Sequence, residues 1–402
     1  MSYQLQHHIR VSANKHGITS RRDFLRAVGI AGAAVGATSW TDAISLAAGD
    51  LRKRQKACIL LWMAGGPSQF ETFSPKPNHK NGGETKAIET NVSGIHIAEN
   101  LPRVAQVMDE IAIIRSMTSK EGSHPRASFY MHHGYLPMGG VKFPTLGSNI
   151  AHQIGDAACE LPSFVRIGNG RSSGNAGFLG VDFDPLVLQN ATRPPNNTKP
   201  TTSQERYVRR LGLLQGIETG FASEQGSDLV ADHRKLVDNA SQMILSPKMD
   251  AFDIAREPEK MRAAYGSTNI GSSCLMARRL IERGVTFVEV NVGGWDTHND
   301  NFNRVKTLAG SVDQPMAQLI IDLRQRGMLD DTLVVWMGEF GRTPKINARS
   351  GRDHYPKAFN VALAGGGVSG GQVIGKTDDA GAQVADRPVQ VKDLFSSIYT
   401  TL

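Results

Sequence analysis

Ala57-Cys58-Ile59-Leu60-Leu61-Trp62-Met63 is an unbroken apolar run that ends in Ala64-Gly65-Gly66-Pro67-Ser68. A strand with one wet face alternates apolar and polar residues, whereas a run without polar positions marks a strand buried on both faces. The glycine pair after it makes a tight loop where backbone can approach a ligand closely. The same pattern recurs twice. Val285-Thr286-Phe287-Val288-Glu289-Val290-Asn291-Val292 runs into Gly293-Gly294-Trp295-Asp296-Thr297-His298-Asn299, and Thr332-Leu333-Val334-Val335-Trp336-Met337 runs into Gly338-Glu339-Phe340-Gly341-Arg342. Ile111-Ala112-Ile113-Ile114 and Asn360-Val361-Ala362-Leu363-Ala364 read as two further strands. Helical patterns lie over 100–107, from His124-Pro125 onward, over 204–245, 272–283 and 314–326, while 190–205 is a loop of turn formers. Strands separated by helices predict an α/β fold, a three-layer α/β/α sandwich around a mainly parallel central sheet.

Composition agrees. The chain has 402 residues, 40% hydrophobic and 21% charged, which excludes a disordered chain, a collagen-like fibre and a small disulfide-stapled scaffold. Lys plus Arg exceeds Asp plus Glu by 45 to 38, but no block of five like charges occurs and aromatics are only 6%. No nucleic-acid-binding stripe is expected from that pattern. Cys58, Cys159 and Cys274 are odd in number and widely spaced, so they read as buried thiols rather than a disulfide framework.

The first 48 residues read as an address. Ser20-Arg21-Arg22-Asp23-Phe24-Leu25-Arg26 resembles a twin-arginine export signal and leads into a mildly apolar stretch from Ala27 to Ala37. A bilayer-spanning helix needs roughly 20 apolar residues, so this stretch reads as a signal h-region and no stable transmembrane anchor is expected. Ser45-Leu46-Ala47-Ala48-Gly49 offers small residues for cleavage. The expected organisation is a signal over 1–48 and one α/β domain over 49–402, in the periplasm or secreted, with the twin-arginine translocase as partner during export.

Ligands of such sheets collect beyond the carboxyl ends of the strands, and the polar, glycine-rich loops fall there. Asp296 and His298 form a D-x-H pair whose imidazole and carboxylate suit a divalent metal; the plain alternative is a turn cap and a solvated histidine. Glu339 ends the next apolar strand, either as a ligand or paired with Arg342. Asp353-His354 follows in a polar loop and extends the candidate metal set to Asp296, His298, Glu339, Asp353 and His354. Ser123-His124-Pro125-Arg126 places a hydroxyl and a cation at a helix start, where backbone N–H groups favour anions. Ser123 is there either a nucleophile or an N-cap, and His124 is a ligand or acid candidate. His132-His133 reads as packing or surface.

Trp62 to Phe73, Gly293 to His298 and Gly338-Glu339-Phe340-Gly341-Arg342-Thr343-Pro344 together resemble a large bacterial family of unknown function, twin-arginine exported and sulfatase-like, within the alkaline phosphatase superfamily. The likeness covers everything after the signal. It implies an alkaline-phosphatase-like fold and metal-dependent hydrolysis of a phosphate or sulfate ester, carried by a small molecule or a polysaccharide. Zinc, manganese or calcium would be the cofactor, and Arg126 or Arg342 would stabilise developing negative charge. The pattern also departs from that superfamily. Phe340 stands where a histidine ligand is usual, and Ala64-Gly65-Gly66 where the first strand normally supplies an Asp, leaving Gln69 or Glu71 as poor substitutes. One metal held by Asp296, His298 and His354 with Glu339 nearby is therefore the expectation. The alternative is a non-catalytic member that binds an anionic polysaccharide or a protein. Residues 388–402 read as a loop entering an amphipathic helix without a stop, and relatives continue further, so a shortened C-terminus is also expected.

Overall fold

The computed structural model describes residues 56–402 apart from 169–173 and 226, and no side chains over 222–229. The twin-arginine segment and its cleavage region lie outside the described residues. Among the described residues nine strands form the central sheet: β1 (Ala57–Met63), β2 (Ile111–Thr118), β3 (Phe164–Ile167), β4 (Leu186–Leu188), β5 (Phe287–Val292), β6 (Thr332–Met337), β7 (Phe359–Gly365), β8 (Gln372–Ile374) and β9 (Val389–Gln390). Their spatial order is β8-β2-β7-β6-β1-β5-β3-β4, with β9 also beside β2. β1 is central, pairing in parallel with β5 (Leu61 opposite Val290) and β6 (Leu61 opposite Trp336).

The sheet is mainly parallel, as the strand–helix alternation predicts, but β7 runs antiparallel to both β6 and β2. The reason is local. A parallel return needs a crossover, usually a helix, whereas residues 338–358 hold only a small hairpin pairing Gly341–Arg342 with His354–Tyr355. β7 therefore starts at the edge where β1, β5 and β6 end, and His354, just before it, stays at that edge. Gly365-Gly366-Gly367 then falls at the opposite edge, against Leu329 and Leu333.

Helices cover both faces. α1 (His124–His133), α2 (Leu146–Ile154) and the C-terminal helix α8 (Val391–Thr401) pack Met131, Ile150, Leu394 and Ile398 against Cys58, Leu60 and Trp62 of β1. On the other side α5 (Glu259–Tyr265), α6 (Asn269–Glu282) and α7 (Asn301–Gln325) pack Tyr265, Leu275, Val312 and Ile320 against Ile59, Leu61 and Met63. β1 thus buries alternate residues in two cores, each large aliphatic side chain contributing about 1.5–3 kcal/mol. α3 (Gln204–Gln225) and α4 (Ser227–Leu245) form a helical pair outside these layers.

Three sequence assignments shift. The helix expected over 100–107 is a 3-10 segment over Val104–Glu110. α7 begins thirteen residues before the predicted start at 314, with Pro315 inside it; proline usually opens a helix, which hides the upstream half. β3 and β4 are short and escape the pattern. Cys58 and Cys274 are buried free thiols, as expected, whereas Cys159 is half-buried.

Candidate metal centre

Four loops meet at the carboxyl edge of β1, β5 and β6. Gly65, at φ +116, lets the loop after β1 lie against the loop after β5: a Cβ there would sit 2.5 Å from the Asp296 nitrogen. Gly351 does the same for the last loop, since its Cβ would collide with the His298 carbonyl. Asn347 Nδ2 donates to the His298 carbonyl at 3.0 Å, and the Arg352 N–H donates to the Thr297 carbonyl at 3.0 Å. Close approach of backbone, rather than phosphate cradling, is what these glycines provide.

Three imidazoles converge on one carboxylate. His124 Nε2 lies 3.3 Å from Asp296 Oδ2; His298 Nε2 and His354 Nε2 lie 3.1 and 3.4 Å from Asp296 Oδ1, and 3.0 Å from each other. Behind each ring, Nδ1 faces an acceptor: Glu339 Oε1 at 2.7 Å for His124, Asp353 Oδ1 at 2.8 Å for His298, and the Gly122 carbonyl at 2.8 Å for His354. An acceptor on Nδ1 places the ring proton there and leaves the Nε2 lone pair free. Three lone pairs and a carboxylate therefore point at one another. His124 Nε2 is buried and makes no hydrogen bond among the described residues. One ligand atom each from His124, Asp296 and His354 lies within 4.8 Å of the others.

Electrostatics follow the geometry. Burial works against ionisation of Asp296, but the Arg342 guanidinium at 2.6 Å holds its carboxyl down at about 2. The hydrogen bond that it donates to Glu339 raises the His124 imidazole above its ordinary value. Burial lowers that of His354.

The sequence-derived candidates separate into three groups. Asp296, His298 and His354 come together, joined by His124. Glu339 and Asp353 stand one layer out, against imidazole Nδ1 atoms; Glu339 takes the Gly65 N–H at 2.9 Å rather than Arg342. Arg342 is fully buried, donating to the Gly65, Gly66 and Arg352 carbonyls and to Asp296. Four of its five N–H donors are committed inside the protein, so it orients Asp296 rather than standing free for developing charge on a substrate, contrary to the expectation for it. Arg126 is exposed and forks onto Glu121 at 2.8 and 3.0 Å. Ser123 is the exposed N-cap of α1, without a side-chain cap bond.

Glu71 and Gln69 are not stand-ins for a strand-end Asp. Glu71 pairs at 2.7 Å with Arg352, both fully buried, and Gln69 bonds the Arg342 backbone at both its N–H and carbonyl. Arg352 was legible only as a loop residue before Asp353-His354. It anchors that loop to Glu71, Asn81 and Pro344. A second buried charge group also lies outside the sequence reading: Glu289 of β5, with Arg166 Nε at 3.2 Å and His132 Nε2 at 3.6 Å. Phe340 is buried beside His124 and His354, tilted to both rings, 4.9 and 4.6 Å from their centres, while the two imidazoles meet edge-on at 4.3 Å.

The family model described as "Protein of unknown function (DUF1501)" matches residues 55–402. The chain belongs to that family. No curated protein matches it by sequence. Among solved structures it is similar to the PsFucS1 sulfatase from Pseudoalteromonas sp. at 14% identity, over 88% of this chain and 69% of that one, with TM-score 0.41. It is also similar to a protein in the alkaline phosphatase superfamily from Vibrio parahaemolyticus (11%, 86% and 65%, TM-score 0.41) and to the alkaline phosphatase from the Antarctic bacterium TAB5 (13%, 86% and 97%, TM-score 0.38). At these values none of the three carries a residue role over to this family member.

Proposed function

We propose that this protein is an exported, single-metal hydrolase of a phosphate or sulfate ester, in the periplasm or beyond the cell. The observation that carries the metal is the orientation of three histidines, each with Nδ1 on an acceptor and Nε2 facing Asp296. Metal-ligating histidines almost always donate their other ring N–H in this way. His124, Asp296, His298 and His354 would hold the ion, with Glu339, Asp353 and the Gly122 carbonyl fixing the ring orientations. A set of three imidazoles suits zinc or manganese, and disfavours calcium, which prefers oxygen ligands. A divalent cation there would supply Lewis-acid polarisation of an ester oxygen. Asp296, ionised at all ordinary pH values, balances positive charge and is oriented by Arg342. His124, with its proton held at Nδ1 by Glu339, keeps Nε2 available. Phe340 sets an apolar ring, which carries no ligand atom, beside both His124 and His354, which supports one ion rather than two.

The same ring favours a second reading, in which the protein binds an anionic polysaccharide without cleaving it. A panel of phosphate and sulfate monoesters and diesters separates the two. Hydrolysis by the wild type that is abolished in His298→Ala supports the enzyme; ester or polysaccharide binding without turnover in either protein supports the binding reading.

A further inference from the structure

α3 presents large apolar residues to solvent along one side. Leu213, Ile217 and Phe221, one turn apart, are 70%, 71% and 53% exposed. Three such residues at i, i+4 and i+8 share a helix face. The half-buried Tyr207, Leu211 and Leu214 lie on the neighbouring strip of the helix, where Tyr207 meets Ser241 of α4, and Leu213 and Ile217 are left facing solvent. Gly212 and Gly216 sit beside the stripe, and a Cβ at either would meet nothing within 4 Å. Ridge and groove therefore run together on one exposed surface.

Charge along α3 is polarised as well. Arg206, Arg209 and Arg210 are all exposed in its first two turns, where the helix dipole is positive and cations are unfavourable. The acidic residue of its first turn is Glu205. The C-terminal turn carries the opposite, negative end of the dipole.

We infer that α3 is the contact surface for a second copy of this chain, the two helices crossing antiparallel near Gly216. In that arrangement Leu213 and Ile217 of one helix fill the Gly212/Gly216 groove of the other. The contact is self-complementary, as an isologous interface requires. The arginine end of each helix meets the negative C-terminal end of its partner, which removes the unfavourable charge placement seen in the single chain. A single helix pair is small beside a standard interface, so the dimer is weak and concentration-dependent.

Sedimentation velocity of the full chain over a range of concentrations tests this. The wild type should shift from monomer to dimer with concentration, and Ile217→Glu should remain monomeric throughout with unchanged circular dichroism. Arg206→Glu separates docking from helix stability. Ser203 Oγ already accepts the Arg206 N–H at 3.4 Å, so a glutamate there completes a capping box and favours the helix, while it should move dimerisation to higher concentration. A wild type that stays monomeric, or a dimer unaffected by Ile217→Glu, overturns the proposal. So does a monomer that binds phosphatidylglycerol vesicles through Leu213 and Ile217.

Discussion

Glu339 Oε1 takes a 2.7 Å hydrogen bond from His124 Nδ1, joining the end of β6 to the start of α1. The carboxylate is buried and held from behind by the Gly65 N–H. It therefore fixes both the direction and the tautomer of His124.

Replacing Glu339 by Gln should keep the fold and weaken cation affinity by roughly 10–100-fold, the usual cost of losing such a partner. Isothermal titration with zinc and manganese reads the change directly. Equal affinities in the two proteins would show that His124 is not a ligand.

Cation binding should weaken as pH falls. A ligand must shed its proton, and Glu339 raises the His124 imidazole above its ordinary value of 6.5. Proton competition at His124 therefore begins above pH 6.5, whereas Asp296, held at about 2, contributes none until strong acid. Titrations between pH 8 and pH 5.5 should show affinity falling throughout, with a weaker slope in His124→Gln.

Glu71→Ala should destabilise the protein by about 3–5 kcal/mol, because Arg352 would be left as an uncompensated buried charge. Denaturant unfolding gives the value. Since Arg352 anchors the His354 loop, the same variant should also lose cation affinity, and Glu71→Met with Arg352→Met should recover much of the stability.

His133 supplies an acid-sensitive element away from the cation site. Burial lowers its imidazole to about 4, so the folded state holds it neutral. Above 6.5 neither state binds the proton and stability is unaffected. Between 6.5 and about 4 the unfolded chain takes up the proton first, and stability falls as pH falls. His133→Gln should flatten the stability profile across that window, as read by denaturant midpoints.

The layers were legible because β1, β5 and β6 lack polar positions on either face except Glu289, Asn291 and the opening Thr332, and because Gly65 and Gly293 mark their ends. β7's reversal was legible in principle too, since 338–358 holds no helical pattern. The histidine geometry was less so. Asp296, His298 and His354 could be grouped from strand-end placement, but His124 lies 172 residues before Asp296 and looks like an ordinary first-turn residue. Glu339 and Arg342, three residues apart, invited pairing with each other; in the structure each pairs across the sheet edge, Glu339 with His124 and Arg342 with Asp296. Such partners depend on tertiary approach at Gly65 and Gly351, and local spacing does not encode them.

The most direct measurement is the metal content of the protein matured through its native export route, compared with Asp296→Ala/His298→Ala prepared identically. About one zinc or manganese per chain in the wild type, lost in the double variant while the fold is retained, is the predicted result. Metal well below one equivalent in the wild type, unchanged by the two substitutions, would contradict the single-metal centre.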